Sequence, residues 1–450
     1  MKKKLPLFVT GILFPILLNA QWLSQASGFT SPNRGLYDIS ITDANTVWGI
    51  AYAGTVFNSK PEFTKTTNGG VLFTAGAFPP GWIWSNISAL DSSTAWVSVV
   101  NASTGTDGAI FKTTDGGVTW NEQGVGTIFN STSYSDLVYF WNANEGVAMG
   151  DPNPSEFEIY TTSDGGTTWT PVPGSAIPDP LVNEWGISNC FCTVGNDIWF
   201  STNNARIFHS SDKGLTWTVN VTGIPATSSD WIDIAFWNAN EGIARKYNYS
   251  SHINTYVSKT NDGGSTWNPV TVSGTLFGSQ YYGLEYVPGT TSTLISMGES
   301  VNAAGSSYSN DGGNTWTLID TTVRHYATGF LDNTTGWCSG FNTDSVNGGI
   351  YKYGGTPLSI YNPLNGKEIY FNVFPNPSDG IVMVHLANAG NDDLKISVLD
   401  ISGRIVSELD FGKPGEFFIR SIDLSDLLTG IYLLKIVNGT NQYSKKLIIN

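Results

Sequence analysis

Through the first 350 residues, apolar and polar positions alternate in short runs, and no long stretch repeats with a helical period. Seven segments share one layout, a strand, a tight turn rich in Asn, Asp and Gly, and a second strand: YDISITDANTVWGIAY, SNISALDSSTAWVSVV, SDLVYFWNANEGVAMG, ISNCFCTVGNDIWFST, DIAFWNANEGIARKY, GLEYVPGTTSTLISMG and ATGFLDNTTGWCSGF. A hairpin phrase follows most of them. It reads TTDGGVTW at Thr113–Trp120, TSDGGTTW at Thr162–Trp169, SSDKGLTW at Ser210–Trp217, TNDGGSTW at Thr260–Trp267 and SNDGGNTW at Ser309–Trp316, with a weaker copy, TTNGGVLF, at Thr66–Phe73. The Asp positions 115, 164, 212, 262 and 311 are 49, 48, 50 and 49 residues apart, and Asn68 lies 47 before the first. A repeat of about fifty residues holding four short strands is the size of a propeller blade. The pattern therefore predicts an all-β, seven-bladed β-propeller over 21–355, with helix nearly absent. The seventh unit runs out of strands after Gly349–Tyr353, whereas Gln21, Trp22 and Leu23 resemble the start of a fourth strand; ring closure through this N-terminal strand is expected, because it removes an exposed edge.

Composition narrows the setting. Lys2, Lys3 and Lys4 precede an apolar run from Leu5 to Leu18 and a small residue, Ala20, which reads as a secretory signal over residues 1–20 with cleavage after Ala20. That run is short for a bilayer span, Pro6, Gly11 and Pro15 weaken it further, and no later segment is apolar enough; a mature protein without a transmembrane segment is expected. The formal charge of −15 becomes −18 without the three leader lysines, which argues against nucleic acid as a partner. Three cysteines, Cys190, Cys192 and Cys338, make no disulfide framework. Cys190 and Cys192 share one face of a predicted strand and read as apolar filling before they read as a metal pair. No metal and no cofactor is expected.

The recurring phrase resembles the Asp-box, or BNR, repeat of sialidases, other glycoside hydrolases, sortilin-type receptors and photosystem assembly factors. In such a box the Asp caps amides of the turn, glycines permit positive φ, and Thr and Trp restart the outer strand. Asp115, Asp164, Asp212, Asp262 and Asp311 are thus read as structural, and Trp120, Trp169, Trp217, Trp267 and Trp316 as core beneath their turns. The resemblance also implies that the boxes lie on the face opposite the loops that form a site. Because enzymes and binding proteins share the repeat, it decides nothing about catalysis.

After a linker at 356–370 the character changes. VFPNPSDG at Val373–Gly380, LKISVLDISGRIV at Leu394–Val406, IDLSDLLTGIYLLKI at Ile422–Ile436 and the closing SKKLIIN resemble, in order, the motifs of the type A C-terminal sorting domain of type IX secretion. This implies a bacterium of the Bacteroidota kind, the type IX machinery as a partner, passage through periplasm and outer membrane, and a secreted or cell-surface product. The residues themselves read as a small antiparallel β-sandwich over 371–450, for which a generic immunoglobulin-like module is the alternative.

Candidate chemistry gathers on the face away from the boxes. Aligning the inner strands brings Asp38, Asn86, Asp136, Asn189 and Asp233 to one level, with Gly283 and Ala327 in the last two blades. These polar groups either solvate the channel and cap turns or make a cation or substrate site, with Asp38, Asp136 and Asp233 as the candidate catalytic carboxylates. Trp84, Trp185, Trp231 and Tyr282 either stack on a ligand or fill gaps between blades, and Arg324 and His325 are nearby positive groups. The resemblance to sialidases implies several arginines converging on a carboxylate. The propeller has only Arg34, Arg206, Arg245 and Arg324, and Arg206 is expected to point away beside its box, so a sialidase is disfavoured. A binding module for an extracellular glycan or protein is the leading reading, with a glycoside hydrolase using paired carboxylates as the alternative.

Overall fold

The computed structural model describes residues 21–54, 58–130, 132–227, 230–248, 253–278, 283–300, 302–355, 358, 370–374, 378, 380–387, 393–401, 403–413, 417–439 and 441–450. The leader at 1–20, most of the linker at 356–370, and Tyr282 lie outside them. The chain divides into two compact units, one up to residue 359 and one from residue 360.

The first unit is a seven-bladed propeller. Five blades are four-stranded antiparallel sheets in sequential order, such as Trp82–Ala89, Ala95–Asn101, Gly108–Thr113 and Asn121–Gln123. The sixth, built on Leu284–Tyr286, Leu294–Ser300, Ala303–Ser309 and Thr315–Asp320, gains a fifth strand, because Ser273–Gly274 pairs in parallel with Thr315–Trp316 at its rim. The seventh consists of Thr328–Phe330, Gly336–Asp344 and Asn347–Tyr353, and its fourth strand is Trp22–Ala26, paired antiparallel from Trp22 with Tyr353 to Ala26 with Gly349. The wheel is closed. The single helical element among the described residues is a 3-10 turn at Gly174–Ala176.

Burial explains the sequence pattern. Second strands are covered on both faces by neighbouring blades, so Val47–Ala53 is buried at every position. Fourth strands are short and exposed at the rim, as in Thr74–Ala77, which blunts the one edge each blade leaves open. The repeated spacing of Phe six residues before a turn-closing Gly has a steric cause. The rings of Phe140, Phe236 and Phe330 lie flat on Gly146, Gly242 and Gly336, where a Cβ would come within 2.6, 2.6 and 2.4 Å of the ring. The same Phe140 and Phe236 stack on Trp96 and Trp199 of the preceding blades, with centroids 3.7 and 4.0 Å apart.

In each full box the Asp Oδ1 accepts the amide N–H four residues on, at 2.8–2.9 Å, and Oδ2 accepts that residue's hydroxyl, at 2.6–2.7 Å. The weaker copy keeps only the amide bond, Leu72 N–H to Asn68 Oδ1 at 2.9 Å, since Leu72 has no hydroxyl. Box carbonyls are capped from the blade before. Lys65 Nζ donates to Gly116 O, Lys112 Nζ and Trp96 Nε1 to Gly165 O, and Trp199 Nε1 to Gly263 O. Lys352, in the last blade, donates to Gly69 O of the first at 2.8 Å and so continues the series across the closure.

The second unit is a β-sandwich. Tyr370–Phe374, Ile381–Ala387 and Phe417–Asp423 form one sheet; Ile405–Asp410, Leu394–Leu399, Gly430–Asn438 and Asn441–Ile449 form the other. Val382, Val384, Ile396, Val398, Leu434 and Leu447 fill the shared core.

Candidate functional site

Inner strands of adjacent blades diverge too far to pair, so their flanking amides need side-chain acceptors. The channel residues supply them. Asp38 Oδ2 accepts Ile87 N–H at 2.6 Å and Ser40 Oγ accepts Ala89 N–H at 3.0 Å; Asn86 Oδ1 accepts Val138 N–H at 2.7 Å and Ser88 Oγ accepts Phe140 N–H at 3.0 Å. Asp38 thus latches the first blade to the second. Asp233 is held differently, in a buried ion pair: Arg245 Nη2 and Nε donate to its Oδ2 at 2.5 and 2.9 Å, and Arg245 Nη1 donates to Phe277 O in the sixth blade.

Asp136 stands apart. It sits at a bulge in the third blade's inner strand, is buried, and accepts Ser188 Oγ–H at 2.7 Å from the fourth blade. Asp151, at the far end of the next strand, comes close enough for the two carboxyls to act on each other, and its Oδ1 accepts Gly186 N–H at 2.9 Å. Burial, then the neighbouring charge of Asp151, hold Asp136 well above the usual carboxylate range, and burial raises Asp151 to about 6. Two close carboxyls in a buried setting do not readily ionise together, which favours the protonated form of Asp136. Tyr134 joins them through Ser188 and Ser85, its hydroxyl pushed to about 12 by burial. Gly186 permits the close approach, since a Cβ there would lie 2.9 Å from Asp136 Oδ2.

Gly186 ends a loop at the face away from the boxes, beside the turn between second and third strands of the fourth blade. Its interior is polar and fixed. Glu184 is buried against Arg206, with Nη1 2.8 Å from Oε2, and accepts Thr202 Oγ1–H at 2.6 Å; Arg206 also donates to Asp179 O, and Trp185 N–H donates to Asn203 Oδ1 at 2.9 Å. Its outer side is apolar: Leu181, Val182 and Trp185 are 53, 90 and 38% exposed. A buried ion pair thereby displays three apolar side chains to solvent.

Several expectations need correcting. Trp84 is fully buried and stacks on Phe78 at 3.9 Å, because a bulge between Trp84 and Asn86 turns the indole into the core. His325 is also fully buried, with Nδ1 2.9 Å from Ser339 O and Nε2 3.1 Å from Asp320 Oδ2. Arg206 begins a five-residue strand that ends at Ser210, so it lies at the opposite end from its box, under the exposed loop. Trp231 is half-buried against the core that holds Ile232 and Ile234. Arg324 donates from Nε to Glu299 O at 2.5 Å, lies over the Phe341 ring, and lines a second cavity of about 350 Å³. Arg34 pairs with Glu62 at 3.3 Å. With Arg206 and Arg245 also paired, these four arginines do not converge. Asp151, Tyr134, Leu181 and Val182 went unnamed in the sequence reading; the one signal for them was an apolar Leu-Val inside a Pro, Asp and Asn-rich loop.

These shifts fix the pH profile of stability. Besides Asp136 and Asp151, burial raises Asp38 to about 7, and burial together with the charge of Asp38 raises Glu285, in the channel wall, to about 8. Such groups hold protons in the folded state that the unfolded chain releases above its own value, near 3.8 for Asp and 4.5 for Glu, so their contribution is present at low pH and is lost as pH rises toward 7–8. The box carboxylates run the other way. Hydrogen bonds to Thr119 depress Asp115 to about 2, and Asp164, Asp262 and Asp311 are also lowered, so their contribution fades only as pH falls below the ordinary range. Thermal unfolding should therefore give a Tm that peaks near about pH 4 and declines toward about pH 8, with a slope near 1.4 kcal/mol per pH unit for each extra proton held. A Tm that climbs steadily from pH 5 to 8 would contradict this account.

Residues 372–450 match the family described as the secretion system C-terminal sorting domain. The protein is accordingly exported by type IX secretion and is secreted or held at the cell surface. A sialidase of Micromonospora viridifaciens is 25% identical over 209 residues, covering 36% of this chain and 31% of that enzyme, so the chain spans under a third of the length of this curated relative. Among solved structures, YCF48 bound to a D1 peptide is similar, with a TM-score of 0.49 and 15% identity over 75% of this chain and 97% of that one. YCF48 from Cyanidioschyzon merolae is similar too, at a TM-score of 0.48 and 16% identity over 74% of this chain and 99% of that one. Among the described residues no helix is long and apolar enough to cross a membrane.

Proposed function

We propose that the exported propeller is a binding module for an extracellular glycan or protein ligand, and that the loop carrying Leu181, Val182 and Trp185 is its contact surface. The observation that carries this reading is the exposure of those three side chains on a loop held from within by Glu184 and Arg206. Because the buried pair fixes the loop before any ligand arrives, little ordering cost falls on binding. Trp185 adjoins Gly186, whose N–H donates to the half-buried Asp151 carboxyl.

A glycoside hydrolase is the second reading, supported by the Asp136–Asp151 carboxyl pair and by the partial likeness to a sialidase. The surroundings weigh against it. Glycoside hydrolysis needs two carboxyls flanking the scissile bond of a bound sugar, whereas Asp136 is buried, Asp38 is a latch, and Asp233 is paired with Arg245. A panel of polysaccharides separates the readings when both retention on insoluble glycan and release of reducing ends are measured. Trp185→Ala and Val182→Asp should each weaken retention about tenfold, in the range of truncated contact residues, while Asp136→Asn leaves it in place. Reducing-end release that Asp136→Asn abolishes would establish the hydrolase instead; retention of no glycan would leave only the protein ligand.

A further inference from the structure

We propose that the central channel, on the opposite side of the inner strands from the exposed loop, is a binding site for a small organic ammonium ion. It is a cavity of about 420 Å³ walled by the inner strands of all seven blades, a volume within the range of small-ligand sites. Its charge is one-sided. Three carboxyl residues, Asp38, Asp233 and Glu285, line it, and no Lys, Arg or His is found among its described lining residues. Arg245 neutralises Asp233 from behind the wall, which leaves Asp38 and Glu285 facing the same space with no cation between them.

A second observation points to an occupant. Asn189 lines the cavity, is fully buried, and has no hydrogen-bond partner on either its amide oxygen or its amide nitrogen. It holds φ at +66° inside a strand, at a bulge between Gly186 and Phe191, a conformation an L residue adopts at a cost. A buried amide with both ends unsatisfied is unfavourable unless something in the cavity meets it. The walls name the class. Tyr139, Phe191 and Tyr286 are half-buried around the same cavity, with Tyr139 and Phe191 6.1 Å apart, and aromatic faces beside a carboxyl group attract an alkylated ammonium through the ring quadrupole. Among the described residues no three His, Cys, Asp or Glu side chains converge as metal ligands, which favours an organic cation over a metal ion.

The groups facing Glu285 across the cavity are Asp38, Asp233 with its Arg245, Cys190, Cys192, Tyr139 and Tyr286. Since burial and Asp38 raise Glu285 to about 8, a cation competes there with a proton, and its affinity should rise as pH passes through that value. The test is calorimetric titration of the full chain with tetramethylammonium at about pH 6 and about pH 9, with tert-butanol as a neutral match in shape. Saturable binding is expected, at least about tenfold tighter at the higher pH and with proton release at the lower, and tert-butanol should not bind. Glu285→Gln, which keeps the side chain's shape, should remove the pH dependence and most of the affinity; Phe191→Leu should weaken binding several-fold with Tm little changed. Absence of saturable binding at both pH values, equal binding of tert-butanol, or a folded Glu285→Gln protein that binds as before would each overturn the proposal and leave a water-filled channel.

Discussion

Replacing Trp22 by alanine should lower the unfolding free energy of the wheel by about 3–5 kcal/mol, the range for removing a buried aromatic side chain. The indole is 6% exposed and packs against Phe330, Tyr353 and His325 with centroids 6.0, 5.3 and 5.6 Å away. Its Nε1–H donates to Ser306 Oγ at 2.8 Å, Ser306 donates to Asp320, and Asp320 lies 3.1 Å from His325 Nε2. One residue of the N-terminal strand thus joins the sixth blade to the seventh. The loss should also be local before it is global: amide exchange should accelerate first over Asn347–Tyr353, the strand that Trp22–Ala26 covers. Unchanged exchange there, with a loss under about 1 kcal/mol in denaturant, would mean that closure does not depend on this strand.

An effect of similar size is expected at the Asp233–Arg245 pair, where both side chains are almost wholly inaccessible. Asp233→Asn or Arg245→Met alone leaves one charge buried without its counterpart, at a cost of about 3–5 kcal/mol. Exchanging both for apolar residues of similar volume should recover most of that, because the desolvation cost disappears with the pair. Urea titrations of the two single variants and the double variant read this directly, and a double variant as unstable as the singles would show that the pair contributes more than mutual neutralisation. The result bears on function as well. An Asp233 variant that loses activity or binding loses it through the fold, so Asp136 and Asp151 are the informative carboxyls to change.

The architecture was legible because it rests on short-range rules that repeat. The box needs Asp, Gly and a hydroxyl four residues after the Asp; the inner hairpin needs a Gly under each Phe ring; and both recur at one blade's spacing. Ring closure could be read because Trp22 imitates the Trp that ends a box and opens the outer strand. The site was less legible because its contacts depend on bulges and on strand length. A bulge turned Trp84 into the core, another brought Asp136 against Asp151, and a strand of only five residues carried Arg206 to the end away from its box. Asp38 and Asn86 were placed at the right level of the channel, but only the unpaired amides of Ile87 and Val138 show what they hold. Glu285 escaped notice because its strand, Leu284–Tyr286, is only three residues long and its partner in charge lies 247 positions earlier.

Gly354 N–H donates to Gln21 O at 2.9 Å, so the chain enters and leaves the wheel at one point. The boxes of the second, third and fifth blades receive carbonyl caps from the blade before, and Lys352 carries that relay past the seam to Gly69 of the first. The ring consequently has no privileged first sector: a short bridge between residues 354 and 21 would let the polypeptide be opened at another exposed hairpin tip, with the order of the sectors around the axis preserved.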